Sequence, residues 1–184
     1  DATEAESLLR EVLSAAQARE IGVLAAWSRV GLGRAAFLRG RAIESANALQ
    51  GQRAEVEQLS NEPVALSLVL YLCEALLHAG RFTDALPLAE GTLDRIRRLG
   101  FRNRLVNGLR LLAEARLRSG APAALVEPLI TEALEAADEL GQRPEIAHTL
   151  ALRAQVRRSH EDALTAQAMY RELGMSFWLH RDAA

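Results

Sequence analysis

Three columns of residues recur in this chain at a spacing of forty. Gly40, Gly80 and Gly120 form the first, with His160 in the next slot. Leu32, Leu72, Leu112 and Leu152 form the second, each followed by a small residue (Gly33, Cys73, Ala113) until Arg153 breaks the series. Ala35, Ala75 and Ala115 form the third. Columns held in one phase mark an internal repeat. A repeat of this length is one supersecondary unit, which buries its apolar face only by stacking on its neighbours. Hydrophobic residues make up 49% of the 184 positions but aromatics only 4%. The apolar content is mostly Ala and Leu, which favours helix over sheet.

Each unit reads as two helices. The first spans roughly 23–39, 63–79, 103–119 and 144–159, with apolar residues at helical spacing, as in Leu105, Val106, Leu109, Leu112, Ala113 and Leu117. A glycine closes it, because the left-handed backbone after a helix costs glycine little. By the same phase His160 is expected in a helix-ending slot, and Gly22 is expected to follow the opening helix. The second helix spans roughly 41–59, 81–99, 122–140 and 161–173, and three of these end at Gly100, Gly141 and Gly174. Pro63, Pro122 and Pro144 sit where first turns tolerate a missing N–H, and Ser60 and Asn61 are candidate caps. Pro87 and Pro128 fall inside second helices at nearly one phase, which predicts a shared kink; the alternative is a helix that starts late.

The opening stretch, 1–22, reads as the second helix of a preceding unit and implies a fragment of a longer protein. Units then run 23–62, 63–101, 102–141 and 142–174, and the apolar cluster Met175-Ser176-Phe177-Trp178-Leu179 places a cap over 175–184.

Composition closes off several kinds of chemistry. The single cysteine, Cys73, excludes an internal disulfide and the usual cysteine-based zinc site. All 22 basic residues are arginine, so there is no lysine for a Schiff base or a P-loop. With 24 acids against them, the formal net charge of −2 argues against direct nucleic-acid binding. No apolar run approaches the ~20 residues of a membrane span, so no membrane partner is expected.

Leucine followed by a small residue on the first helix, with Gly-x4-Ala at the hairpin, resembles the tetratricopeptide repeat (TPR). Leu32-Gly33 and Gly80-Arg81-Phe82-Thr83-Asp84-Ala85 match best; Arg41-Ala42 with Ser45-Ala46, and Ala124-Leu125, are degenerate versions. The TPR period is 34, and a period of 40 also suits HEAT-like repeats. The longer unit, the endings Glu139-Leu140-Gly141 and Glu172-Leu173-Gly174, and the run from Tyr170 to Leu179 are similar to long-helix TPR-like regions. Such regions occur in bacterial multidomain regulators, among them LuxR-type ATPase transcription activators and adenylate cyclases. The resemblance implies an all-α, right-handed α-solenoid of about four hairpins with a C-terminal capping helix, cytoplasmic and engaged in signalling or transcription regulation. No nucleotide-binding, cyclase or DNA-reading segment accompanies it.

Catalytic constellations are lacking. His78, His148, His160 and His180 lie in different units without a second ligand at helical spacing. Cys73 falls in the small-residue column, where a buried and inert thiol is expected. No enzyme activity, cofactor or metal is therefore expected. The resemblance instead assigns a concave groove to the first helices, holding Trp27, Arg34 and Phe37, then Glu74 and His78, then Asn107, Arg110, Glu114 and Arg118, with Arg157 in the fourth unit. An aromatic end, central acids and distal arginines suit a protein or peptide with an apolar anchor and carboxylates. The competing reading makes Arg34–Glu74 a solvated pair worth ~0–1 kcal/mol and Trp27 a cover over a repeat joint. A small-molecule inducer in the groove and self-association are the other binding functions considered.

Overall fold

The computed structural model describes residues 2–179, and all of its regular structure is helical. The helices are α1 (Ala2–Ala18), α2 (Gly22–Leu38), α3 (Ala42–Gln58), α4 (Glu62–His78), α5 (Phe82–Leu99), α6 (Arg102–Arg118), α7 (Ala123–Glu139), α8 (Arg143–Arg157), α9 (His160–Glu172) and α10 (Ser176–Leu179). The chain divides into two compact units between Leu88 and Ala89, within α5. In the first, α1 packs on α2, α2 on α3 and α3 on α4, and the first helices α2 and α4 also lie side by side. In the second, α6 to α10 pack in the same sequential way, and α6 lies beside α8.

The helix ends share one device. After α2, Gly40 donates to Phe37 O at 2.8 Å and Arg41 to Ala36 O at 3.0 Å, the crossed pair that satisfies two terminal carbonyls. The same pairing closes α4 at Gly80 and Arg81, and α6 at Gly120 and Ala121. It requires a left-handed residue, and Gly40, Gly80, Gly100, Gly120, Gly141 and Gly174 supply it with φ between 63° and 82°. Three ends use other residues: Glu20 (φ 57°), Ser60 (φ 49°) and Arg158 (φ 52°).

These ends correct four expectations. Ser60 is not a cap but the left-handed residue after α3; Asn61 caps α4 alone, its Oδ1 accepting from Val64 N at 3.2 Å. His160 does not end a helix, because α8 stops one residue sooner than the phase requires and the left-handed turn falls two sooner, at Arg158, leaving His160 to open α9. Glu20 turns the chain after α1, and Gly22 begins α2. Pro122 stands just before α7 as its N-cap, whereas Pro63 and Pro144 lie in the first turns of α4 and α8 as expected. Neither Pro87 nor Pro128 delays its helix, since α5 and α7 begin five residues earlier and run through them. Both prolines are exposed, as are Thr83 and Ala124 four residues before, so water can reach each carbonyl deprived of its donor.

The small-residue column sits where helices approach closely. Gly33 faces Leu49 of α3, and the Ser45 hydroxyl donates to Gly33 O at 2.7 Å. Cys73 and Ala113 in the same column are fully buried. Helix α4 is buried from Val64 to Leu77 except at Tyr71. In the second unit Ala113, Val126, Ile130 and Leu152 form one apolar cluster, and Ala147, Leu150, Ala166 and Tyr170 form another. Met175, Trp178 and Leu179 close over the latter as the capping segment; the expected cap residues 180–184 lie outside the described residues.

Candidate partner-binding face

In the first unit, four of the five expected groove residues form one cluster. Arg34 of α2 pairs with Glu74 of α4, and its guanidinium carbon lies 4.9 Å from the Phe37 ring centre and 5.0 Å from that of Tyr71. Phe37 meets the His78 ring edge-to-face at 4.9 Å and 86°. The pair forms, but it is not the solvated contact entertained above, because Glu74 is only 3% exposed. Burial makes such a carboxylate costly without a cation, while the rings hold the planar guanidinium in place. Phe37, at 1% exposure, is a wall of this joint rather than an open contact. Sequence reasoning missed Tyr71, although it stands three and seven residues before Glu74 and His78 on one helix face.

Trp27 lines an apolar cavity of about 430 Å³ that Arg34 and Tyr71 of that cluster also border. Ala2, Ala5, Leu9 and Val12 of α1 form one wall, and Leu24, Trp27, Gly31, Arg34 and Leu38 of α2 the other, with Tyr71 of α4 also in the lining. Gly31 shapes it: Leu9 lies where a side chain at Gly31 would begin, with Cδ2 2.9 Å from an ideal Cβ position.

In the second unit the expected residues form a ladder along α6. Arg110 sits 3.2 Å from Glu145 of α8 and 3.7 Å from Glu114, which reaches Arg118 at 3.8 Å. Arg110 is 5% exposed, so it ties α6 to α8, whereas Arg118 stands in solvent. Asn107 is half-buried nearly one turn before Arg110. Arg157 is drawn away to Glu127 of α7, at 3.2 Å, and joins none of these groups. Glu145 was missed because it follows Arg110 by 35 residues, outside the forty-residue phase.

Two other charged joints were not anticipated. Glu6 of α1 receives Arg10 at 2.5 Å, Arg39 at 2.5 Å and Arg41 at 3.0 Å. The Arg39 hydrogen bond, supported by the charges of Arg10 and Arg41, holds its carboxyl below the usual carboxylate range against the opposing push of burial. Arg153, the residue that interrupts the small column, grips Asp162 of α9 through two bonds of 2.8 and 2.6 Å, and that contact lowers the Asp162 pKa.

The remaining candidate chemistry is inward-facing. Burial pushes the Cys73 thiol up to about 12, so thiolate is scarce near neutrality. His148 is buried, with Nδ1 2.9 Å from the Tyr170 hydroxyl and its ring 4.4 Å from that of Trp178. His160 is exposed, and His180 lies outside the described residues. Among the described residues no group of three or more His, Cys, Asp or Glu could hold a metal ion, and no helix is long and apolar enough to cross a membrane. No protein-family model matches this chain, and no curated protein matches it significantly.

Proposed function

We propose that the chain is a non-catalytic, TPR-like scaffold whose first helices α2, α4, α6 and α8 present a recognition face to a protein or peptide. In this reading the forty-residue units wind as a right-handed solenoid, as part of a cytoplasmic bacterial signalling or transcription regulator. The supporting observation is the lateral pairing of first helices within each unit, α2 beside α4 and α6 beside α8, while the second helices α3 and α7 pack between them in sequence. Side-by-side first helices make a preorganised surface within each unit, which keeps the ordering cost of binding small.

The test is site-specific photo-crosslinking in lysate of the source cell. Photoreactive residues at Asn107 and Arg118 on a first helix should each capture the same protein, and residues at exposed second-helix positions such as Gln50 and Glu135 should not. Capture from both sets alike, or from neither, would overturn the assignment of the face. A second reading, inducer sensing, draws on the cavity beside Trp27, whose volume falls within the range of small-molecule sites. A thermal shift with small metabolites and none with peptides would favour it.

A further inference from the structure

We infer that α5 carries a built-in joint: its first half, residues 82–91, opens locally far more readily than the matching stretches of α3 and α7. The inference concerns this one helix and goes beyond the recognition reading, which needs no moving element.

Helices α3, α5 and α7 can be compared position by position. Their sixth and tenth residues are Asn47 and Gly51 in α3, Pro87 and Gly91 in α5, and Pro128 and Glu132 in α7. Of the three, α5 alone combines the two residue types least suited to a helix interior. Pro87 supplies no N–H for the Thr83 carbonyl, and both residues are exposed, so water can take the missing donor's place. One turn later Gly91 is exposed as well, with nothing within 4 Å of its Cβ position. Gly33 and Gly108 give close neighbours their room, whereas no packing demand accounts for a glycine at 91.

The anchoring side chains differ in the same direction. At the fourth and eighth residues α3 buries Ser45 and Leu49, α7 buries Val126 and Ile130, and α5 buries Ala85 and Ala89. Ser45 is further tied to α2 by its hydrogen bond to Gly33 O. A buried alanine removes far less apolar area from water than leucine, valine or isoleucine, and Phe82, Leu86 and Leu88 are only half-buried. Beyond Gly91 firm anchoring resumes with Leu93 and Ile96, both buried and both against Gly108 of α6. The division of the chain into compact units falls between Leu88 and Ala89, inside the weak half. Weakened backbone bonds and little buried apolar area together define a segment of low local stability. For a scaffold, yielding at this place leaves the α2–α4 and α6–α8 pairs intact.

Hydrogen exchange of the full chain, read by mass spectrometry on overlapping peptides, tests the joint. Amides of 84–91 should exchange about tenfold or more faster than those of 44–51 and 125–132. Low denaturant should scarcely change their rate, because local opening exposes little surface. Gly91→Ala should slow them about fivefold, the effect of about 1 kcal/mol in helix preference. Pro87→Ala should slow them by about tenfold or more, because the Thr83 carbonyl regains its donor. Both positions are exposed, so neither change disturbs packing. Gly51→Ala is the control, slowing exchange in α3 and leaving 84–91 as it was. Equal protection of the three stretches, a rate for 84–91 that follows global unfolding, or exchange left unslowed by either α5 substitution overturns the joint. The readout is backbone exchange without a partner, so its failure is distinct from failure of the recognition face.

Discussion

Replacing Gly33 with alanine sets two effects of known size against each other. A Cβ at this position would lie 2.6 Å from Leu49 Cδ2 and 2.7 Å from Leu49 Cγ, closer than real contacts allow. Leu49 is fully buried and cannot swing into solvent, so the α2–α3 joint must open. Alanine favours a helix interior over glycine by about 1 kcal/mol. Overpacking a tight contact costs about 1–3 kcal/mol. The net change is a loss centred near ~1 kcal/mol. Gly51 of α3 provides the control, since nothing lies within 4 Å of its Cβ position and only the helix preference operates. Gly51→Ala should therefore stabilise by about 1 kcal/mol, and the two variants should differ by about 2 kcal/mol. Denaturant titrations followed by circular dichroism measure this as opposite shifts of midpoint at constant slope. Leu49→Ala should also cost less in the Gly33→Ala background than alone, because it removes the clash. A Gly33→Ala protein as stable as Gly51→Ala, or strict additivity in the double variant, would refute the close crossing.

The left-handed helix ends give a second test. Ser60→Gly and Arg158→Gly should each stabilise the fold by about 0.5–1 kcal/mol, while Gly80→Ala (φ 74°) should destabilise by about 1 kcal/mol, all read in thermal melts. Glu6 and Asp162 both have lowered carboxyl pKa values, through Arg39 and Arg153 respectively. Each therefore contributes stability that is complete above the unfolded-state pKa of about 4 and is lost as pH falls through the folded value. Unfolding midpoints should drop steeply below about pH 4, and less steeply in Glu6→Gln; an unchanged profile in that variant would contradict the role given to Glu6. Cys73, fully buried with its thiol pKa at about 12, should resist iodoacetamide at neutral pH until denaturant is added, as intact-mass measurements will report.

The features legible in the sequence are those set by local backbone and packing rules. Glycine spacing located the helix ends to within a residue or so, and the Leu-small column located where α2 and α3 approach. The misassignments arise where residue type and conformation part company. Nothing in Ser60 or Arg158 announces a left-handed backbone, and His160 was misplaced because α8 is 15 residues long where α2, α4 and α6 are 17. Long arginine side chains hide their partners further. Arg39 and Arg41 converge on Glu6 from more than 30 positions away, and Glu145 reaches Arg110 from outside the phase. No periodicity carries that information, because a flexible side chain of this length can choose among acids on several neighbouring turns.

Burial divides the ten groove residues into two kinds, and the division decides how recognition is to be tested. Phe37, Glu74 and Arg110 are each at most 5% exposed and join one first helix to the next. Removing such a group leaves a buried partner short of an interaction, so its loss reports on the fold before it reports on binding. Reversing Arg110 would place a third carboxylate beside Glu114 and Glu145, and a lost interaction would then say nothing about the face. Trp27, Asn107 and Arg118 keep accessible surface and perturb no buried ion pair as severely. The buried charges set the spacing of the first helices, and that spacing in turn positions the accessible residues. A partner that reads the accessible residues therefore depends on the buried ones without touching them.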